Sequence, residues 1–296
     1  LIESMLLAGY ALGVRNAFVY MRGEFDLPYR RLQAAIEEAY GAGYLGKPLF
    51  GTEHVMDLVI IQGAGSYVCG EASGLLTSIE GKKGYPRNRP PRLTVRGLYQ
   101  RPTVVNNVET LSNVAVIVRM GSEAFRKVGT AKSPGTQLVS ISGHVVRPGV
   151  YEVEHGYPLA KFIHEDCGGM IGGRKLKGLI PGGISAKVLT GEDCAELTYD
   201  HGSFDKAGSA LGSGGMIAIA EGTCMVRLLQ VMLRFWHHES CGQCTPCREG
   251  MGWMHRIIER IVKGDGRPGD IDALVRISNA NDGTTICGMG DAAGYA

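Results

Sequence analysis

The sequence predicts a mixed α/β protein in three parts, and three observations carry that reading. Over the first 62 residues, apolar runs and an amphipathic stretch alternate as strand, helix, strand. From about residue 135 the pattern turns to apolar–polar alternation. In the last third, apolar residues recur with the 3.6-residue period of helices. The expected order is an α/β layer over 1–130, a compact β-grasp-like module over 131–215 and a small helix bundle over 216–296.

In the first part, Ile2, Met5 and Leu6 have helical spacing. The run NAFVYM (16–21) reads as a short buried strand. Leu32, Ala35, Ile36, Ala39 and Tyr40 then share one helical face, and the helix ends near the glycines of GAGYLG. VMDLVIIQ (55–62) is β-branched and apolar, a second strand. This spacing predicts parallel pairing. Directly behind it lies GAGSYVCGEASGLLTSIEG (63–81). Gly63, Gly65 and Gly70 crowd a turn before Leu75, Leu76 and Ile79 resume helical spacing. Such a turn brings backbone N–H groups against a phosphate or a ring system, although many contain glycine for steric reasons alone. Residues 81–103 hold four prolines and seven basic residues, a composition that excludes regular structure. They form either a solvated basic loop or one that lays positive charge beside a polyphosphate. The loop runs into TVVNNVETL, where Asn107 or Asn106 is placed to cap a helix.

The middle part opens with TQLVSISGHVVRPGVYEVEHG, an alternating stretch with an RPG turn that reads as a hairpin. PLAKFIHEDCG is a short helix, and LKGLIPGGISAKVLT adds a strand with a Gly-rich bend. No catalytic constellation is visible there. In the last part, Met225, Leu228, Leu229, Met232, Leu233 and Trp236 mark one helix. Trp253, Ile257, Ile258 and Ile261 mark a second, and ALVRIS a third.

Lys and Arg number 31 against 29 Asp and Glu, a formal net charge of +2, which gives no reason to expect a nucleic-acid partner. No apolar run reaches the ~18 residues of a membrane span. LIESMLLAGYALG lacks the basic region and cleavage site of a signal peptide. A chain that starts in a helix without Met and stops at GDAAGYA is expected to be a fragment of a longer one.

Eight cysteines without a secretory signal point to metal binding or packing rather than disulfides. Cys69, Cys167, Cys194 and Cys224 are scattered singly and are expected to be small buried hydrophobes. Cys241, Cys244 and Cys247 sit in ESCGQCTPCREG (239–250) between two of the helices. Three thiolates at C-x2-C-x2-C spacing gather around one point, and such runs supply three of the four ligands of an iron–sulfur cluster. The fourth is expected from Cys287 in TTICGMGD, the only later cysteine, brought back by a helical hairpin. The spacing favours a [4Fe–4S] cluster. Zinc is the rival, but structural zinc sites more often use two C-x2-C pairs. Packing or a disulfide is the third possibility. His237 and His238 read as surface or supporting groups. Gly242 is expected to allow a tight turn, Pro246 to hold the loop off helical geometry, and backbone N–H groups to donate to cluster sulfurs.

Taken together, GAGSYVCGEASGLLTSIEG, RPTVVNNVETL, ESCGQCTPCREG and TICGMGDAA resemble the flavoprotein, 51-kDa-type NADH-oxidising subunit of respiratory complex I. The same module occurs in NAD-linked formate dehydrogenases and NAD-reducing hydrogenases. The resemblance runs along essentially the whole chain. It implies a Rossmann-like domain for FMN and NAD(H), a soluble-ligand-binding β-grasp domain, and a helix bundle carrying a [4Fe–4S] cluster. Hydride passes from nicotinamide to FMN, and electrons leave singly through the cluster. The implied FMN-binding residues are Tyr67, Gly70 and Glu71, with Asn106, Asn107 and Thr110. The cluster ligands are Cys241, Cys244, Cys247 and Cys287. Implied partners are other electron-transfer subunits, a thioredoxin-like [2Fe–2S] subunit and a multi-cluster subunit among them. The implied place is peripheral, on the cytoplasmic or matrix side of a membrane complex.

Three departures from the family pattern bear on the dinucleotide. The N-terminal glycine-rich segment and the Asn-Ala-Asp-Glu motif are absent, which implies an incomplete pocket in this chain alone. CGEA stands where relatives read C-G-E-E, so Ala72 replaces a carboxylate. PPRL stands where relatives read P-P-F-P, so Arg92 replaces an aromatic. Losing a negative charge and gaining Arg92, with Arg89 nearby, eases the approach of a 2′-phosphate and points to NADP(H). The competing outcomes are unchanged NADH binding and a dinucleotide site that has been lost.

Overall fold

In the computed structural model, residues 1–295 are described, and the chain divides into two compact units, Leu1–Gly121 and Ser122–Ala296.

The first unit runs α1 (Ile2–Leu12), β1 (Asn16–Met21), α2 (Asp26–Gly41), β2 (Asp57–Gln62), α3 (Ala72–Ile79) and α4 (Val108–Met120). β1 and β2 pair in parallel, Val19 opposite Ile60, as the strand–helix–strand pattern requires. Side chains alternate across a strand, so Val19 and Leu58 enter a small core with Ile36, Ala39, Leu45 and Met56. The opposite face carries Phe18 and Val59, both exposed. The basic loop has no regular structure beyond one turn of 3-10 helix at Leu98–Gln100. What orders it is Glu80. Its carboxylate is nearly buried and accepts from Arg87 at 2.9 Å and from the Tyr99 N–H at 2.9 Å, with Lys82 at 3.5 Å. Burial alone would push this carboxyl up, but Arg87 and the Tyr99 N–H outweigh it and hold it below the ordinary range.

The second unit opens with α5 (Ser122–Phe125), β3 (Thr136–Gly143), β4 (Gly149–Glu154), β5 (Tyr157–Pro158) and α6 (Leu159–Lys161). A π-helical turn, Phe162–Asp166, prolongs α6, which realises the expected short helix. Then come β6 (Leu176–Ile180), β7 (Leu189–Thr190), β8 (Thr198–Tyr199), α7 (His201–Lys206) and β9 (Gly215–Ala220). The sheet order is β4-β3-β9-β6-β7. β3 and β4 form the predicted hairpin, β9 joins β3 in parallel, and the remaining pairs are antiparallel. The central strand of this sheet lies across the boundary expected between 215 and 216. Its sequence, GMIAIA, is continuously apolar because both faces are buried. Met216, Ala218 and Ala220 enter a core with Phe162, Cys167, Cys194 and Tyr199. Ile219 enters a second core with Trp236, Met251 and Met289.

That second core is shared by α8 (Met225–Glu239), α9 (Thr245–Lys263), α10 (Asp270–Asn281) and α11 (Met289–Tyr295), the last a helix that periodicity did not reveal. α8 buries Met232, Leu233 and Trp236 as expected. α9 buries Ile257 and Ile258, but Trp253 is 50% exposed, so it does not belong to the face assigned to it. Met251 and Met254 carry that face instead. Among the described residues no helix is long and apolar enough to cross a membrane.

The turn from α9 to α10 is tied by Asp270, which is buried in the first turn of α10. Its two oxygens take both arms of Arg260, and Oδ2 also accepts from the Arg267 N–H at 2.8 Å. The Arg260 guanidinium, with the Arg267 N–H, holds this carboxyl below the usual range. The stabilisation is present in full above the ordinary carboxylate value of about 3.9 and is lost as pH falls through the lower folded value. Asp270→Asn is therefore expected to melt below the parent at pH 7. The gap should close under acid conditions, which thermal unfolding across pH measures.

Candidate functional site

The chemistry-bearing residues fall in two places, one in each unit, and each is built by helix ends. In the first unit, β2 leads into the Gly-rich turn. At Gly63 a Cβ would lie 2.5 Å from the Tyr20 hydroxyl, so any side chain there would have to displace the Tyr20 ring. Tyr67 and Gly70 are exposed at the turn. Glu71 has a definite structural role as the N-cap of α3, where its Oε2 accepts from the Ser73 N–H at 2.8 Å and the Gly74 N–H at 2.9 Å. Its other oxygen accepts from Arg89 at 3.0 Å. Read from the sequence, Glu71 belongs with a ligand and Arg89 with a phosphate, yet in the fold the two meet. The signal was present, since Glu71 directly precedes a helical apolar pattern. Glu71→Ala is expected to destabilise the first unit by about 1 kcal/mol, the usual cost of a lost N-cap. Denaturant unfolding of the variant against its parent measures that change.

Ala72 opens α3, half-buried, while Arg92 is exposed and its carbonyl accepts from the Val95 and Arg96 N–H groups. The second stretch, before α4, is organised by Asn107. Its Oδ1 caps the helix by accepting from Glu109 N–H at 2.9 Å and Thr110 N–H at 3.3 Å. Asn106 Oδ1 accepts from the Asn107 N–H at 3.0 Å. Asn107 is thus the cap and Asn106 its support. Asn106, Asn107 and Thr110 are exposed.

In the second unit, the cysteine loop joins α8 to α9. Ser240 closes α8, Gly242 adopts φ 81°, a left-handed conformation that favours glycine, and Cys244 is the N-cap residue of α9. Pro246 lies inside the first turn of α9, where its missing N–H costs nothing. It starts that helix rather than keeping the loop from being helical. Cys247 is on the same turn, buried. Arg248 fastens the loop by donating from Nη1 to the Gly242 carbonyl at 2.8 Å.

The chain then returns through α10, and the Ile286 N–H donates to Cys244 Sγ at 3.4 Å. This sets Cys287 beside the loop. Burial pushes the Cys247 and Cys287 thiols up, and the neighbouring cysteines push them the same way. Thiols bind a metal as thiolates, so both would release their protons to a cation bound there. The donor set therefore fits an all-thiolate iron–sulfur cluster. Among the described residues, no group of three or more His, Cys, Asp or Glu is arranged to hold a single metal ion. His237 and His238 are exposed. His237 stacks on His255 with ring centroids 6.0 Å apart, and His238 meets Glu239.

The scattered cysteines divide. Cys69, Cys167 and Cys194 are buried as expected, and burial raises the thiol of Cys167 to about 11 and that of Cys194 to about 12. Cys224 is exposed, against expectation. It is the N-cap residue of α8, where the Arg227 N–H holds its thiol below the ordinary value.

A Gly-rich turn in the first unit and a three-cysteine loop with Cys287 returning to it in the second are the arrangement of an iron–sulfur flavoprotein, the class that the family matches show. Residues 1–116 match the Nuo51 FMN-binding domain, 138–186 the SLBB domain, and 227–296 the NADH-ubiquinone oxidoreductase-F iron-sulfur binding region. The chain is 45% identical over 293 residues to an NADH-quinone oxidoreductase F-type subunit of Rhizobium meliloti, covering 99% of this chain and 69% of that one. It is 43% identical over 296 residues to the corresponding NADH-quinone oxidoreductase F-type subunit of Rickettsia bellii, covering 100% of this chain and 71% of that one. With the mitochondrial NADH dehydrogenase (ubiquinone) flavoprotein 1 of Dictyostelium discoideum it shares 45% identity, spanning 100% of this chain and 62% of that one. A chain of an NAD+-reducing [NiFe]-hydrogenase, solved in the H2-reduced state, superposes with a TM-score of 0.87 at 34% identity. That match covers 99% of this chain and 48% of the other. The chain belongs to the family of NADH-quinone oxidoreductase F-type subunits, and it carries that family's FMN-binding domain and iron–sulfur binding region.

Proposed function

We propose that this chain is the electron-input subunit of an NADH-oxidising complex, passing hydride from a nicotinamide dinucleotide to FMN and single electrons through a [4Fe–4S] cluster to partner subunits. The observation that carries the reading is the return of the chain at Ile286 to Cys244, which puts Cys287 beside the three-cysteine loop. When bound, FMN supplies two-electron to one-electron conversion and the cluster supplies one-electron transfer. Cys241, Cys244, Cys247 and Cys287 would hold the cluster. Tyr67, Gly70, Asn106, Asn107 and Thr110 would contact the flavin, while Glu71 keeps α3 in place behind the turn.

The first unit, with one parallel strand pair and its crossover helix, supports a Rossmann-like reading. The sheet order of the second, with its first and last long strands parallel at the centre, supports a β-grasp reading. Partners would be further electron-transfer subunits, including a thioredoxin-like [2Fe–2S] subunit and a multi-cluster subunit. The assembly would lie at the cytoplasmic or matrix face of a membrane. The likeness to a hydrogenase chain supports a second setting, the same module feeding an NAD-linked hydrogenase.

For dinucleotide choice, Arg89 is engaged by Glu71, so any preference for NADP(H) falls to Ala72 and Arg92. The test is an anaerobic titration of the native assembly with NADH, then with NADPH. Flavin bleaching and the cluster's reduced-state EPR signal are followed. Reduction by NADH supports the proposed role, and a flavin that neither nucleotide bleaches overturns it. Equal NADPH turnover by an Ala72→Glu, Arg92→Phe double variant and its parent would remove those residues from specificity.

A further inference from the structure

Three of the four cysteine sulfurs are in hydrogen-bonding contact with the chain around them. Two of these contacts are made by backbone N–H groups: Ile286 N–H to Cys244 Sγ at 3.4 Å, and Met289 N–H to Cys287. The third is a side chain. Ser240 Oγ lies 3.2 Å from Cys247 Sγ. Both ends of this contact are held by long helices. Ser240 is the C-cap residue of α8, and its N–H donates at 3.1 Å to the carbonyl of Trp236, a fully buried residue. Cys247 sits in the first turn of α9, also buried.

Between a thiol and a hydroxyl either group can donate. A sulfur bound to iron has given up its proton. The Ser240 hydroxyl then carries the only proton available between the two atoms, and the sulfur accepts it. A donor aimed at a ligand sulfur stabilises whichever redox state holds more negative charge, and hydrogen bonds to sulfur are one of the levers on cluster potential. One-electron reduction adds a negative charge to the cluster and its ligands. Burial of Cys247 lowers the local dielectric and strengthens the effect.

We propose that Ser240 is a positioning residue that donates its hydroxyl proton to Cys247 Sγ and raises the reduction potential of the cluster. The proposal rests on the cluster reading given above. Two properties of the parent assembly, its iron and sulfide content and its reduced-state EPR signal, test that reading separately. Their absence defeats it before Ser240 is at issue.

The measurement for Ser240 is an EPR-monitored redox titration of the native assembly carrying Ser240→Ala or Ser240→Thr, beside the parent. At a fixed solution potential, the reduced-to-oxidised ratio of the cluster is expected to fall about tenfold in the alanine variant. That corresponds to a midpoint about 59 mV more negative for a one-electron couple. Threonine, which keeps the hydroxyl, should restore the parent midpoint. A cluster-loaded alanine variant with the parent's midpoint overturns the proposal. If the alanine variant does not load, Ser240→Gly, a residue that helix C-termini accept, takes its place. A lowered midpoint there supports the proposal and an unchanged one overturns it.

Discussion

Replacing Cys287 with serine is expected to remove the iron–sulfur EPR signal while leaving the flavin in place. A four-iron cluster takes four cysteine thiolates, and C-x2-C-x2-C supplies three. Cys287 stands next to the Ile286 N–H that reaches Cys244, and burial is the first cause of its raised thiol, followed by its neighbours Cys241, Cys247 and Cys244. A hydroxyl at this position cannot replace the thiolate's soft donor, so iron and sulfide content should fall with the signal. The residues assigned to the flavin belong to Leu1–Gly121, whose core is made of its own side chains. Flavin released on denaturation should therefore match the parent. Cys224→Ser is the control. This exposed residue at the start of α8 should keep a full cluster when changed. A Cys287→Ser protein with an unaltered EPR signal would place the fourth ligand elsewhere.

Much of this site is readable from residue spacing, because local patterns carry local structure. The strand–helix–strand of the first unit, the hairpin and the helix of Met232, Leu233 and Trp236 follow from side-chain period. The cap before α4 is legible from residue type as Asn107 or Asn106, and the fold makes it Asn107. What stays hidden is non-local or depends on which face a neighbour covers. GMIAIA at 215–220 is a strand because Ser140–Gly143 lies beside it, some seventy residues earlier in the chain, and its register, Ile141 opposite Met216, has no local signal. Trp253 has helical spacing with Ile257 and yet is half-exposed, because period alone does not say which face of α9 its neighbours cover. The Glu71–Arg89 pair shows the same limit within the candidate site. Each residue is assigned to a ligand when read alone, and only folding shows that each is the other's partner. Pro246 is ambiguous for a different reason: proline both ends and begins helices, and here it begins one.

Trp236→Ala is expected to destabilise the second unit by about 3–5 kcal/mol, the usual cost of emptying a buried tryptophan site. The indole is fully buried in a core formed by Ile180 and Ile219 of the sheet, Leu233 of α8, Met251 and Met254 of α9, and Met289 of α11. Methionines are flexible enough to move into part of the cavity, which places the loss toward the lower end of that range. Equilibrium denaturation of the variant and parent measures it. Cys247 is part of the same core, and Cys244 and Cys287 pack against it. The cavity should therefore loosen the wall behind the cysteine loop, and iron should be lost to a chelator faster than from the parent. Trp253→Ala separates burial from residue type. Half-exposed on α9, Trp253 belongs to none of the cores among the described residues, so its removal should change stability by no more than about 0.5 kcal/mol and leave chelation unchanged. Equal losses from the two tryptophans would mean that the face of α9 turned to the core includes Trp253, and an unchanged chelation rate in Trp236→Ala would mean that the cysteine loop does not lean on the wall Trp236 occupies.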